Sequence, residues 1–172
     1  MATSAFVLQT GLGWIGVAYG ESGVCLVRFS RQGAEEVHRD LAAELKDGFT
    51  LDKPAPVTAL GHLPDRLASY FGGQRVDFDE PVDLRDLTPF QRRVLEVTRG
   101  IPYGEVRSYA WVAAQAGSPR AFRAAGQALG RNPVAILIPC HRVVTSQGSL
   151  GGFGWGVDVK RALLDLEKSK VV

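Results

Sequence analysis

Apolar and β-branched residues cluster in three short segments within the first thirty positions of the chain. These segments cover residues 5–10, 14–19 and 24–29. Two glycine-bearing stretches separate them, which is the pattern of strands joined by hairpin turns. The chain is therefore predicted to begin with an antiparallel β-meander.

Helical spacing of apolar residues follows the predicted strands. Residues 34–46 and 63–71 are predicted helices, and the second carries one apolar stripe of Leu63, Leu67, Tyr70 and Phe71. The next segment, residues 72–86, is acidic, contains Pro81 and shows no clear period. It is interpreted as a connection that wraps between the two halves of the chain.

The second half of the chain is predicted to be mostly helical. Thr88, Pro89 and Gln91 form a helix start, with Thr88 as the cap, and Gly100 ends that helix. Its predicted buried stripe is Phe90, Val94 and Val97. Ser108 is predicted to cap a second helix over residues 109–116, and a third is predicted to run from Ser118-Pro119 to residue 129.

Two short helices joined by residues 116–119 have the sequence form of a helix-turn-helix. In the second of them, spacing predicts that Phe122, Ala125, Gly126 and Leu129 face the core. The predicted outward residues are Arg120, Ala124, Gln127 and Ala128, with Arg123 on the flank. Such a small, basic and amide-bearing face suits a nucleic acid groove, although a helical hairpin within an ordinary core fits the pattern equally well.

The most informative stretch comes after the predicted helices. The apolar residues 135–138 run into Pro139, Cys140, His141 and Arg142. The run predicts a buried strand that the proline ends. A thiol beside a base and a cation is the arrangement that a cysteine nucleophile needs. A buried structural cysteine that happens to precede a histidine is the alternative, and these residues alone leave both open.

A glycine-rich loop and one more predicted helix complete the chain. The loop surrounds Phe153 and Trp155 with five glycines, and it lacks the order of a phosphate-binding loop. The predicted helix covers residues 159–167, with Val159, Leu163 and Leu166 buried. Glu167 lies at its C-terminus, where the helix dipole disfavours a carboxylate. Either it is a solvated, frayed end or it pairs with a histidine or an arginine.

Charge is distributed unevenly along the 172 residues. Residues 1–87 carry 8 Lys/Arg and 13 Asp/Glu, a net charge of −5, whereas residues 88–172 carry 12 and 5, a net charge of +7. The basic half suggests a polyanionic partner. The two cysteines do not suggest a disulfide framework, and neither a signal peptide nor an apolar run of membrane length is visible. An intracellular, cytoplasmic location without membrane contact is therefore expected.

Several motifs of the basic half occur together, in a fixed order. They are Tyr103-Gly104-Glu105-Val106, Ser108-Tyr109, Arg123-Ala124, Asn132-Pro133 and Ile138-Pro139-Cys140-His141-Arg142-Val143. Residues 88–172 thereby strongly resemble the O6-alkylguanine-DNA alkyltransferases, and residues 1–87 resemble them in outline. The resemblance implies an α+β fold. Residues 1–87 would form a ribonuclease H-like domain with an antiparallel sheet, and residues 88–172 a mostly helical domain with the helix-turn-helix and the active-site cysteine.

The function that the resemblance implies is direct DNA repair in a single turnover. A member of this family binds double-stranded DNA in the minor groove, flips out a guanine alkylated on O6, and moves the alkyl group to its cysteine. O4 of thymine is a second expected target. Flipping is required because O6 lies on the pairing edge of a stacked base. No metal and no cofactor are expected, and the protein is expected to be monomeric, with side-by-side association on DNA as an option.

Individual roles also follow from the resemblance. Cys140 would accept the alkyl group, His141 would act as the base through a water, and Glu167 would orient His141. Tyr109 would donate to N3 of guanine and crowd its phosphate, Arg123 would replace the flipped base, and Asn132 would hold a turn. The expected DNA-binding residues are Tyr109, Arg120, Arg123, Ala124, Gly126 and Gln127; the expected pocket residues are Pro139, Val143, Phe153, Gly154 and Trp155.

Two positions depart from the family pattern. Many relatives have Ser or another side chain at Gly154, and many have Gly at Trp155, so the indole is expected to narrow the pocket. Some relatives bind zinc in the N-terminal domain, but Cys25, His38 and His62 lack a ligand spacing, so no zinc is expected.

Two other functions remain as alternatives to alkyl transfer. One is a lesion-binding alkyltransferase-like protein without chemistry, a class that lacks the cysteine present here at Cys140. The other is a Cys-His hydrolase unrelated to DNA, which leaves the predicted helix-turn-helix and the basic half unexplained.

Overall fold

The fold is mixed α+β and consists of two compact units. The computed structural model describes residues 3–45, 48–51 and 60–169. The units comprise Met1–Asp83 and Leu84–Val172. The predicted boundary, after Leu87, lies a few residues further along the chain.

A four-stranded sheet forms the centre of the N-terminal unit. Its strands are β1 (Ser4–Gln9), β2 (Trp14–Gly20), β3 (Gly23–Ser30) and the short β4 (Thr50–Leu51), in the order β3-β2-β1-β4. The first three pair antiparallel, and β4 runs parallel to β1. This pairing confirms the predicted meander. The meander was predictable because hairpin turns join strands that are neighbours in sequence.

The described part of the N-terminal unit also contains two helices, α1 (Ala34–Glu44) and α2 (Leu63–Phe71). The predicted end of the first helix, Lys46, lies outside the described residues. All four residues of the predicted stripe on α2 are buried. A core cluster joins α1 to the sheet and comprises Ala5, Ala18, Leu26, Val37 and Leu41.

The acidic segment after α2 has no regular structure but is held within the N-terminal unit. An isolated β-bridge joins Val24 to Val82. Arg66 of α2 forms ion pairs with Asp79, at 2.6 Å, and with the buried Glu80, at 2.8 Å.

Four α-helices and a short 3₁₀ helix form most of the C-terminal unit over its described residues, 84–169. The α-helices are α3 (Pro89–Arg99), α4 (Tyr109–Gln115), α5 (Phe122–Gly130) and α6 (Val157–Leu166), and the 3₁₀ helix is Cys140–Arg142. Strands β5 (Arg107–Ser108) and β6 (Val143–Val144) pair in parallel. No helix among the described residues is both long and apolar enough to span a membrane.

The predicted helix caps are confirmed. Thr88 forms a capping box with Gln91 at the start of α3, and the Ser108 side chain accepts from the Trp111 amide at the start of α4. Gly117, at φ 81°, lets the end of α4 close, and the Ser118 amide then donates to the Ala113 carbonyl. The buried stripe of α3 is shifted from the prediction and consists of Val94, Leu95 and Thr98.

The third predicted helix begins later than expected. The Ala121 amide donates to the Ser118 carbonyl, so Pro119 occupies a β-turn and α5 starts at Phe122. Ser-Pro is a signal for either structure, and here the turn forms. The predicted faces are partly wrong as a result: Phe122 is 47% exposed and Ala128 is buried.

The predicted strand over residues 135–138 is wrong. The Ile138 amide donates to the Val134 carbonyl, and Ile136 has a φ of 77°, which reverses the chain within the run. The residues 134–138 are nevertheless all buried. An apolar run signals burial but does not by itself distinguish a strand from a compact turn.

Candidate active site

A tight turn places Cys140 at the start of the 3₁₀ helix. Pro139 has φ −81° and ψ 65°, and the Cys140 amide donates to the Ile138 carbonyl at 2.8 Å, which together define an inverse γ-turn. The Asn132 amide group donates to the same carbonyl at 2.9 Å, and its oxygen accepts from the Val134 amide at 3.0 Å. Asn132 therefore holds both ends of the buried turn that leads to the thiol.

The β5–β6 pair brings Tyr109 to the same site. Ser108 pairs with Val144, so the first residue of α4 lies beside the strand that follows Arg142. The Tyr109 hydroxyl donates to the Gly152 carbonyl at 3.4 Å. A Cβ at Gly151 would lie 2.7 Å from that hydroxyl, so the loop passes Tyr109 this closely only because residue 151 is glycine.

His141, Arg142 and Glu167 form a fully buried polar network. Nε2 of His141 lies 2.7 Å from Oε1 of Glu167. Arg142 donates through Nε and Nη2 to the two carboxylate oxygens, each at 2.9 Å, and through Nη1 to the Ile101 carbonyl at 2.6 Å. The Gly104 amide donates to Oε2 at 3.3 Å. Glu167 is therefore the centre of the network and not a frayed helix end.

The surroundings set the charge of each member. Burial alone would raise the pKa of Glu167, but hydrogen bonds and charges from His141 and Arg142 outweigh it and hold that pKa at about 2. Burial lowers the pKa of His141, with Glu167 opposing the shift. A carboxylate that accepts from Arg142 and Gly104 leaves Nε2 of a neutral His141 as the donor, and Nδ1 is then the basic nitrogen.

The charges of Cys140 and the buried Lys160 influence each other's pKa. Burial raises the pKa of Cys140, while a hydrogen bond from Asn132 and the positive charge of Lys160 oppose the shift. Nζ of Lys160 donates to the carbonyls of Val143, at 2.6 Å, and Gly152, at 3.2 Å. Burial lowers the pKa of Lys160 to about 8, and the charge of Cys140 opposes that shift.

Lys160 is a site residue that the sequence did not indicate. It has no solvent exposure, although it follows Val159 directly on an amphipathic helix. A lysine beside an apolar stripe is typical of a solvated flank. The carbonyls that receive its ammonium group come from segments 8 and 17 residues away in sequence, so local patterns carry no signal for it.

Cys140 lines a cavity of about 820 Å³ in the C-terminal unit. That volume is within the range of roughly 300–1,000 Å³ that is usual for ligand sites. The predicted residues that line it are Tyr109, Arg123, Gly126, Gln127, Cys140, Phe153 and Gly154. Further lining residues that the prediction did not include are Ala110, Phe122, Leu129, Gly130, Thr145, Ser146, Gln147 and Gly152.

Five of the predicted DNA-binding and pocket residues do not line this cavity. Pro139 and Val143 are buried behind it, and Arg120 lines a second, shallower depression on the turn before α5. Trp155 packs edge-on against Phe153 with ring centroids 5.8 Å apart. The indole therefore packs against a wall residue of the cavity, and its effect on the size of the pocket stays a prediction. Ala124 is exposed on α5.

Nothing in the described part of the chain gathers three or more His, Cys, Asp or Glu side chains into a group that could hold a metal ion. The buried polar side chains of the site form hydrogen bonds within the protein: Arg142 donates to Glu167, and Lys160 donates to the Val143 carbonyl.

Comparisons with known proteins identify one family of relatives. Residues 89–169 match the family model described as 6-O-methylguanine DNA methyltransferase, DNA binding domain. The methylated-DNA–protein-cysteine methyltransferase of Mycobacterium tuberculosis is 53% identical over 106 residues, which are 62% of this chain and 64% of that protein. That of Methanothermobacter thermautotrophicus is 40% identical over 155 residues, 89% of this chain and 78% of that protein.

Solved structures show the same likeness over nearly the whole chain. The crystal structure of Mycobacterium tuberculosis OGT in complex with DNA has a TM-score of 0.79 and 38% identity, covering 96% of this chain and 92% of that one. The O6-methylguanine-DNA methyltransferase of Pyrococcus kodakaraensis has a TM-score of 0.69 and 26% identity, covering 96% and 98%. In the sequence comparison, by contrast, the chain spans less than two thirds of the length of the Mycobacterium tuberculosis protein.

Proposed function

The chain belongs to the 6-O-methylguanine DNA methyltransferase family, and we propose that it repairs DNA by moving an alkyl group from O6 of guanine to Sγ of Cys140. Transfer from O4 of thymine is part of the same proposal. One observation carries it: a cysteine beside a buried His141–Glu167 pair also lines a cavity that it shares with Tyr109 and Arg123.

The proposed role of His141 is to remove the thiol proton. Because burial raises the pKa of Cys140, the resting group is a thiol and needs a base. A neutral His141 that donates from Nε2 to Glu167 would accept the proton at Nδ1 through a water. Arg142 holds the carboxylate with two hydrogen bonds, so Glu167 can orient the ring and stabilise the imidazolium.

The transfer itself is a substitution at the alkyl carbon. The bond from Sγ to that carbon forms while the bond from the carbon to O6 breaks, and the electron pair leaves with the guanine. The proton taken from the thiol returns to the guanine, which restores a neutral base. The Tyr109 hydroxyl would donate to N3, where negative charge develops. The thioether product is stable and no cofactor is needed, so each molecule reacts once.

DNA binding is assigned to α4 and α5 as a helix-turn-helix. The exposed Arg123, Ala124 and Gln127 of α5 would enter the minor groove, with Gly126 permitting close approach and Arg120 reaching phosphate. Arg123 would occupy the position of the flipped base. The net charge of +7 on residues 88–172 favours this partner. The proposal also includes a ribonuclease H-like N-terminal unit and a monomeric state. It further includes a cytoplasmic location, where the thiol stays reduced.

A mass spectrum of the intact protein and its peptides tests this function. The protein is incubated with duplex DNA that contains a single O6-methylguanine, and with unmodified duplex as the control. We expect one added methyl group, on the peptide that contains Cys140, and unmodified guanine in the DNA. Tight binding of the damaged duplex without a mass change would instead identify a lesion-binding protein, and loss of the methyl group as methanol would identify a hydrolase.

A further inference from the structure

Phe122 is exposed where the helical pattern predicts a core residue. It is the first residue of α5, and the buried stripe of that helix begins one turn later, with Ala125, Ala128 and Leu129. Its side chain is 47% exposed. A single exposed aromatic residue is common on protein surfaces and by itself carries no function.

The surroundings of Phe122 distinguish it from an ordinary surface residue. Phe122 lines the same cavity as Cys140 and Tyr109. The guanidinium of Arg123 lies over its ring, 5.9 Å from the centroid. A cation thus covers part of the ring at the cavity wall, next to the residue that is proposed to replace the flipped base.

An exposed ring beside a cation is suited to stacking on a nucleobase. Every base presents a π-face, so such stacking is tolerant of sequence, and apolar side chains that enter a base step help to keep a duplex locally unstacked. Flipping a guanine leaves two neighbouring base pairs with uncovered faces. The guanidinium of Arg123 is a small group on a flexible side chain, whereas the phenyl ring of Phe122 offers a rigid aromatic face for stacking.

We propose that Phe122 is a second wedge, which stacks on the base pair that borders the vacated position while Arg123 fills it. This proposal rests on the proposed function, since it assumes that a base leaves the duplex. It assigns Phe122 to the DNA outside the reacting guanine. Phe122 should therefore affect reaction with duplex DNA and not reaction with a small substrate.

The test compares two substrates for each variant: a duplex that contains O6-methylguanine and the isolated base O6-benzylguanine. Phe122→Ala should slow the duplex reaction about tenfold, the fold-change expected from the loss of one base–aromatic stack. The rate with the isolated base should stay within about twofold, which also shows that the site is folded. Phe122→Trp should restore the duplex rate, because it keeps an aromatic face, while Phe122→Leu should not.

Trp111→Ala is the matched control. Trp111 is also aromatic and 38% exposed, but it lies on α4, carries Arg107 over its ring and does not line the cavity. Its removal should leave both rates within about twofold of the unsubstituted protein.

The slope of log affinity for DNA against log salt should be unchanged in Phe122→Ala, because no phosphate contact is lost.

Three results would overturn the proposal. Equal losses of Phe122→Ala on both substrates would place Phe122 against the reacting guanine. A similar loss in Trp111→Ala would indicate a general apolar contact, and an unchanged duplex rate would show that no stack exists. If the unsubstituted protein does not methylate itself on duplex DNA at all, the proposed function fails, which is a separate outcome.

Discussion

The two cysteines of the chain lie in surroundings that differ in kind. Cys25 belongs to β3, packs against the apolar core cluster of the N-terminal unit and donates to the Ala18 carbonyl at 3.4 Å. Cys140 is 7% exposed, lines the large cavity and lies close enough to Asn132 and Lys160 for both to lower its pKa against the effect of burial. Shielding from water is therefore not what separates a structural thiol from a reactive one; the polar groups around it are.

The same contrast holds for buried charge in the part of the chain that the structure describes. The buried ionisable side chains of the C-terminal unit include His141, Arg142, Lys160 and Glu167, whereas the N-terminal unit buries Glu80 against Arg66. Burying charges costs free energy that apolar residues of similar volume would not. Four such groups around one thiol are characteristic of a functional site and would be an expensive way to build a core.

The largest expected effect comes from replacing each of the two cysteines by serine in turn. Cys140→Ser should abolish alkyl transfer, because a hydroxyl stays protonated where a thiol can ionise. Cys25→Ser is the matched control and should retain a transfer rate within about twofold. Intact mass after incubation with methylated duplex measures both. Methylation of Cys25 in the Cys140→Ser protein would contradict the contrast between the two sites.

Removing the charge of Glu167 should have the next largest effect. Glu167→Gln should slow transfer roughly a hundredfold, since an amide cannot stabilise the imidazolium of His141 as a carboxylate does. It should also lower the free energy of unfolding by roughly 3 kcal/mol, because Arg142 loses its buried partner. Single-turnover rates and denaturant unfolding measure the two effects. A wild-type transfer rate would remove Glu167 from the mechanism.

The pH dependence of that stability difference follows from the pKa of Glu167. Its folded value of about 2 lies below the ordinary value of 4.5, so the ionised carboxylate stabilises the fold fully above the ordinary value. This contribution is lost as the pH falls from 4.5 towards 2. The free energies of unfolding of the unsubstituted protein and of Glu167→Gln should therefore differ by a constant amount near neutral pH and approach each other as the pH falls. Denaturant unfolding at a series of pH values measures the difference.

Lys160→Met should move the reactivity of the thiol to higher pH. Loss of a nearby cation raises the pKa of Cys140, so the rising limb of the pH–rate profile should shift to higher pH, and the rate at neutral pH should fall about tenfold. The pKa of Lys160 is about 8, so the difference from the unsubstituted protein should shrink above that pH. Arg161→Met, at an exposed position of α6, should leave the profile unchanged.

Arg123→Ala should weaken duplex repair and spare the thiol. The expected loss is about tenfold in the rate with methylated duplex, with no change for O6-benzylguanine, because Arg123 is proposed to stabilise only the extrahelical state. Equal losses on both substrates would show that this role is misassigned.

The smallest expected effect concerns the wall of the cavity. Phe153→Ala should raise the rate with O6-benzylguanine relative to O6-methylguanine by about fivefold, as expected from relief of roughly 1 kcal/mol of crowding. Trp155→Gly should change that ratio less, since Trp155 contacts Phe153 from outside the cavity lining. Second-order rate constants with both substrates, measured for both variants, give the two ratios. A larger change in Trp155→Gly than in Phe153→Ala would identify Trp155 as the residue that limits pocket size.

Local signals made much of this molecule predictable. The meander follows from clustered apolar segments and hairpin turns, and the starts of α3 and α4 follow from Thr88 and Ser108, because a cap needs only the next three residues. The motif around Cys140 indicated the chemistry. The awkward place of Glu167 at a helix end indicated a partner, which is now seen as His141 together with Arg142.

The tertiary structure alone decided which groups meet a side chain or a backbone segment. The apolar run before Pro139 is a buried turn whose carbonyl at Ile138 accepts from Asn132, Phe122 is exposed where its spacing predicted burial, and Lys160 is buried because two carbonyls receive its ammonium group. Periodicity reports that a side chain favours burial. Which polar groups meet it there is set only when the chain has folded, since each contact needs a partner from another segment.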